Sequence, residues 1–213
     1  MRRTVLTALV ALVVVSAGCT GLITGEEVAF EANTATVQDD TLESTGYEET
    51  NVTEQTITRD VSVGGEERTV SITNQYAVYA RSGSVGGVEV SGVAQFALIS
   101  TPGAEMAGQT LNPVATLSHR QLVERFSGRT GTVDDIEFVE NRTAESLGDE
   151  RAVGEFNGTT ERVGQELTVR IHVASFEHEG DVLVAIAVHP VGVDEEATVD
   201  DLLAGIEHSG SEE

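Results

Sequence analysis

The chain has 213 residues and carries 36 acidic side chains against 12 basic ones, a formal net charge of −24 at pH 7. Every basic side chain is arginine, so no lysine-rich patch exists to displace counterions from phosphate, which argues against nucleic acid as a partner. Hydrophobic residues still make up 39% of the chain and recur in alternating runs, which excludes wholesale disorder and points to a folded domain with loose ends.

The amino terminus reads MRRTVLTALVALVVVSAGC. Arg2 and Arg3 precede an uninterrupted run of small and apolar residues over 5–17. Crossing a bilayer takes about 20 helical residues, so the run is too short for a span and fits the hydrophobic region of an export signal. Arg2-Arg3 followed by Thr4-Val5-Leu6 matches the twin-arginine export pattern. Ser16-Ala17-Gly18-Cys19 resembles a lipobox, and Cys19 is the single cysteine, which excludes an internal disulfide and makes its thiol the expected lipid attachment point. Residues 1–18 are then a signal peptide and 19–26 a lipidated Gly/Thr tether. The membrane is a partner through the lipid anchor, and the domain stands on the extracytoplasmic face. An uncleaved anchor and plain secretion are the alternatives.

A single α+β domain is expected over 27–208, followed by an acidic tail at 209–213. Val28, Phe30 and Ala32 alternate as a strand, and a short helix is expected over 37–44 with Gly46 as its stop. Gly64-Gly65 is a hairpin turn; with Val63 opposite Glu66, Ile57 faces Ile72, and Tyr76 and Val78 continue that face. A second strand presents Val88, Val90, Ala94, Phe96 and Leu98 on one side. The stretch STPGAEMAGQTLNP is too broken for a strand interior and leads into a helix. There, Ser118 and Gln121 form a capping box, Leu117 and Leu122 a staple, and Leu122, Val123 and Phe126 the buried stripe, with Gly128 as stop. The chain alternates again from Ile136 and turns at Glu179-Gly180. That register joins Val169, Ile171, Val173, Val182, Val184, Ile186 and Val188 into one apolar face. Thr198 and Asp201 suggest the cap of a last helix whose stripe is Leu202, Leu203 and Ile206. The fold class is α+β: a largely antiparallel β-sheet with two or three short helices packed on one face.

The sequence carries no G-x-S-x-G elbow, no H-E-x-x-H and no phosphate-cradling loop, so no catalytic residue and no cofactor is assigned. His172 and His189 share a face of the second hairpin and are two-thirds of a metal site, but no third ligand is evident, and a sheet histidine without a metal is the plainer reading. His119 is read on the exposed flank of its helix, and His178 and His208 at element ends. Asn51, Asn141 and Asn157 head N-glycosylation sequons. The STP…NP loop, with Thr101, Pro102, Asn112 and Pro113, is either a crossover or the contact surface for an unknown protein or small-molecule partner.

The twin-arginine start, the cysteine, TGEEVAFEANTATV, TGYEE, STP…GQTLNPVATLS…LVERF and VAIAVHP…LLAGIEH together resemble a family of haloarchaeal lipoproteins of unknown function. The resemblance implies a role only for Cys19. The strand-rich carboxyl half is also loosely similar to PsbP-like exported domains, which are mostly non-catalytic. The expectation is a lipid-anchored binding or interaction module, with an extracytoplasmic hydrolase of unrecognised site as the alternative.

The charge itself is read as adaptation to high salt. At 1 M salt the Debye length is about 3 Å, so crowded surface carboxylates scarcely repel, whereas in dilute buffer they push the fold apart. The melting temperature is therefore expected to fall steadily as KCl is lowered from 3 M to 0.1 M; a flat profile in a thermal melt would remove the argument.

Overall fold

The computed structural model describes residues 27–209 apart from 64, 86, 107, 127–132 and 163–164. The export-signal segment, Cys19 and most of the acidic tail lie outside the described residues, as does Gly128. Among the described residues no helix is long and apolar enough to cross a membrane.

Eight strands form one mixed sheet: β1 (Val28–Glu31), β3 (Glu48–Val63), β4 (Glu66–Val85), β5 (Val88–Pro102), β8 (Asp134–Ser146), β9 (Asp149–Arg162), β10 (Gln165–His178) and β11 (Asp181–Pro190). The order is β1-β4-β5-β11-β10-β9-β8, with β3 pairing β4 off that path. Two small sheets sit on it: β2 (Ala35–Val37) with β12 (Ile206–His208), and β6 (Glu105–Met106) with β7 (Gln109–Thr110). Three helices complete the fold: α1 (Asp39–Thr45), α2 (His119–Phe126) and α3 (Glu196–Ala204), with a 3₁₀ turn at Pro113–Thr116.

Both hairpin registers read from the turns are present. Ile57 pairs with Ile72 and Val63 with Glu66, while Val173 pairs with Ile186 and Ile171 with Val188. β1 departs from the antiparallel expectation, adding in parallel to β4 with Val28 beside Val70. The capping box of α2 is closed in both directions: Gln121 N–H donates to Ser118 Oγ at 3.4 Å and Ser118 N–H to Gln121 Oε1 at 2.9 Å. α1 ends at Gly46, whose φ of 71° is the left-handed conformation that favours glycine.

The helices do not share a face, which corrects the expected one-sided packing. Val182, Val184, Ile186 and Val188 of β11 join a core cluster with Leu122, Val123 and Phe126 of α2. Leu183, Ala185 and Ala187, of opposite parity on the same strand, join another with Val199, Leu202 and Leu203 of α3, against which Leu42 of α1 packs. The reason is legible in DVLVAIAVHP, where both parities are apolar and every residue is buried. Such a strand needs a cover on each side. The alanines leave room for α3, and the β-branched side chains meet α2.

α3 also begins earlier than Thr198 suggests, with Glu195 at its N-cap, and Ile206 leaves the helix to join β12. Glu195 is buried in an ion pair with Arg81 of β4. His119 is half-buried rather than exposed, because it lies over Gly154, where a Cβ would come within 2.6 Å of its Nδ1. Leu202 is fully buried, so Leu202→Ala is expected to cost about 2–5 kcal/mol in urea unfolding at high salt. A loss below about 1 kcal/mol would mean that α3 is not packed on the sheet.

Candidate functional site

The STP…NP segment is where the sheet, the 3₁₀ turn and α2 converge. Thr101 and Asn112 are 1% and 2% exposed, Pro102 is buried and Pro113 is half-buried. Asn112 Nδ2 donates to Thr101 Oγ1 and to the Pro102 carbonyl, each at 2.7 Å, while its Oδ1 accepts the Val114 N–H at 3.0 Å. Thr101 Oγ1 in turn donates to Asn74 Oδ1. Gly103 N–H donates to the Gly180 carbonyl at 2.9 Å, and a Cβ at 103 would sit 2.7 Å from that oxygen. These residues are a buried clamp that fixes the segment, and they offer a partner only the side that faces the adjoining groove.

That groove encloses about 300 Å³ between β3–β5 and the 113–126 segment. Its apolar walls are Ile57, Ile72, Tyr76, Ile99, Val114 and Phe126, and Asn74, Thr101 and Asn112 form a polar strip. A neighbouring hollow of about 230 Å³ shares Tyr76, Ile99 and Phe126 and extends to Asn51 and Thr53. Arg59 and Arg125 also line the groove. Six other arginines pair with carboxylates: Arg68, Arg81, Arg120, Arg142, Arg151 and Arg170. Among the described residues, Arg59 and Arg125 form no ion pair. In a chain this acidic, two guanidinium groups turned to one apolar groove lower the repulsion an anionic group meets there. The sequence reading passed over both, although the first hairpin register already puts Arg59 opposite Val70 on the Ile57 face.

His172 and His189 meet on the other face of the sheet, with Nε2 atoms 2.9 Å apart. His189 Nδ1–H donates to the Pro190 carbonyl at 3.0 Å, so its Nε2 accepts from His172 Nε2–H, and His172 Nδ1 accepts from Arg142 Nη2 at 3.4 Å. Every ring nitrogen is satisfied with both rings neutral. Burial pushes the His172 imidazole down to about 4; the Glu155 carboxylate opposes this and the neighbouring His189 adds to it. Burial lowers His189 too. For Glu155, burial pulls upward, but hydrogen bonds from Arg142 and Arg170 and the charge of Arg142 hold its carboxyl below the ordinary range. Glu155 takes Arg142 Nε at 2.7 Å and Arg170 Nη1 at 2.6 Å, and Arg142 also reaches Asp200 on α3. The cluster joins β8, β9, β10, β11 and α3, and Glu155 lies at the Nδ1 side of His172, away from the two facing Nε2 atoms.

Of the sequon asparagines, Asn51 and Asn141 are exposed on β3 and β8, whereas Asn157 is half-buried and its Oδ1 accepts from Arg170 Nε at 2.9 Å.

A family model described as a domain of unknown function (DUF6517) matches residues 34–207. No curated protein matches the chain. Among solved structures the chain is similar to a single-site mutant of the protein Mog1, with 14% identity over 73% of this chain and 97% of that one, at a TM-score of 0.38. It is also similar to LpqN, titled as involved in cell envelope biogenesis of Mycobacterium tuberculosis, with 8% identity over 82% and 98% of the two chains, at a TM-score of 0.28.

The neutral histidine pair sets a pH dependence. The unfolded imidazole takes up its proton near 6.5 and the folded one only near 4, so the unfolded chain binds more protons in between. The stability the neutral pair contributes is complete above about pH 6.5 and is lost as pH falls toward about 4. The urea midpoint at high salt is expected to drop between pH 7 and 4.5, and to drop less in His172→Gln; equal drops in both proteins would show that the pair is not held neutral.

Proposed function

The chain belongs to the family defined by the domain of unknown function DUF6517, and we propose that it is a lipid-anchored binding module on the extracytoplasmic face of a halophilic archaeal membrane. Three features of the sequence support the location: the twin-arginine start, the apolar run over 5–17 and Cys19 at the end of a lipobox-like stretch. Two acyl chains on Cys19 would anchor the domain stably, since each buried CH₂ contributes about 0.8 kcal/mol.

The observation that carries the binding role is the groove beside the STP…NP segment. An apolar trough of about 300 Å³ with two arginines at its wall suits a ligand with an apolar body and one anionic end. A small amphiphilic acid fits this description, as does a peptide end that presents a carboxylate. The rigid clamp of Thr101 and Asn112 keeps the trough formed in the free state, which reduces the ordering cost of binding.

The test is to isolate the protein from intact membranes in high salt and identify by mass spectrometry what accompanies it. Arg59→Glu and Arg125→Glu leave the clamp untouched and reverse the charge at the groove. Each is expected to reduce the recovered ligand at least tenfold while the melting temperature stays near that of the native chain. Unchanged recovery in both variants would remove the groove from the reading.

A further inference from the structure

We propose that His178, Glu179 and His208 form a binding site for a borderline divalent transition-metal ion such as Zn²⁺. The site stands on the turn between β10 and β11 and on the carboxy-terminal strand β12, and none of its three residues lines the groove. The imidazole nitrogens of the two histidines and a carboxylate oxygen of Glu179 all lie within 4.8 Å of one another. The facing atoms are His178 Nδ1 and His208 Nδ1, 2.9 Å apart.

The tautomers follow from the neighbours. Asp181 Oδ2 is an acceptor, so His208 Nε2–H donates to it at 3.1 Å, and His208 Nδ1 presents its lone pair to His178. A metal-bound histidine almost always has its second nitrogen fixed in this way by a carboxylate or carbonyl. Asp181 is itself fixed: the same oxygen accepts from Asn33 N–H at 2.8 Å, Asn33 Nδ2 at 3.1 Å and Ser100 Oγ at 3.4 Å. His208 and Asp181 are buried, and His178 is half-buried at the surface. The inner ligand is therefore rigid and the outer two can adjust.

In the metal-free protein His178 Nδ1–H donates to His208 Nδ1. Binding moves that proton through water to His178 Nε2, which leaves two Nδ1 lone pairs on the ion and no net change in protons. With Zn–N distances of about 2.0–2.1 Å in a tetrahedral site, the nitrogens need only spread by a few tenths of an ångström. Glu179, being exposed, can swing in as the third ligand. Three protein ligands leave one position open to water or an external ligand.

The turn carries a second sign. Glu179 has a φ of 48° and Gly180 one of 86°, the pattern of a type I′ turn whose first position favours Asn, Asp or Gly. The analogous turn at Leu147-Gly148 places a leucine in the same strained conformation, and Leu147 packs against the core. Glu179 is exposed, and its carboxylate stands beside the two imidazoles. Two imidazoles with one carboxylate select Zn²⁺, Ni²⁺ or Cu²⁺ over the hard ions Ca²⁺ and Mg²⁺.

The experiment uses the full chain without a histidine tag, stripped with chelator, in concentrated KCl. Zn²⁺ is titrated in competition with a chromophoric chelator, with Co²⁺ absorption as a second readout. One equivalent should bind, with a visible Co²⁺ band of four- or five-coordinate geometry and no displacement by millimolar Mg²⁺. His178→Gln and Glu179→Gln, both near the surface, should keep the fold and weaken binding by at least about tenfold. His208→Gln should abolish it; if that variant unfolds, the two surface variants decide. Equal affinity in the native chain and in His178→Gln, or displacement by Mg²⁺, would overturn the proposal and assign the uptake to scattered carboxylates.

Discussion

The structure depends on one strand that is buried on both sides. β11 has no solvent-facing parity, so the sheet has no free face at its centre. Every other element follows from that constraint. Alanines at 185 and 187 admit α3 closely, while Val184 and Ile186 demand the broader cover of α2 and the 3₁₀ turn. The segments that join these covers to the sheet, 101–118 and 191–195, are consequently drawn tight, and it is beside them that the groove and the histidine pair form.

Arginine distribution is the second organising fact. The chain has three acids for every base, and a buried carboxylate in such a background needs a dedicated cation. Glu155 takes two guanidinium groups and Glu195 one. Removing one partner from such a network leaves a charge buried without compensation, which is why it binds five elements into a unit even though each pair by itself contributes little net stability. Among the described residues, the two arginines at the groove that form no ion pair are informative because so few are available.

The three clusters of polar groups differ in what holds them. Around Asn112, hydrogen bonds between neutral groups close on one another. Around His172 and His189, the donors and acceptors also close, and burial, with the charges of Arg142 and Arg170 adding to it, keeps the rings neutral. Around His178 and His208, the chain of donors ends at two facing nitrogens near the surface, held from behind by Asp181.

Much of the fold was legible in the sequence, because period-two alternation and two-residue turns constrain register locally. The pairings Ile57–Ile72 and Val173–Ile186 and the Ser118–Gln121 box needed nothing beyond neighbouring residues. The run DVLVAIAVHP even carried the evidence for two covers, in the apolar character of both its parities. What tertiary structure alone decided are contacts between segments far apart in the chain. The parallel addition of β1 to β4, the start of α3 at Glu195 beside Arg81, and the meeting of His178 with a His208 held by Asp181 have no local signature. Alternation says which side of a strand a residue faces, but not what will be packed there, because that is set by the global closure of the sheet. For the same reason Arg59 and Arg125, separated in the chain by β4 to β7 and the 3₁₀ turn, become a pair only once the groove exists.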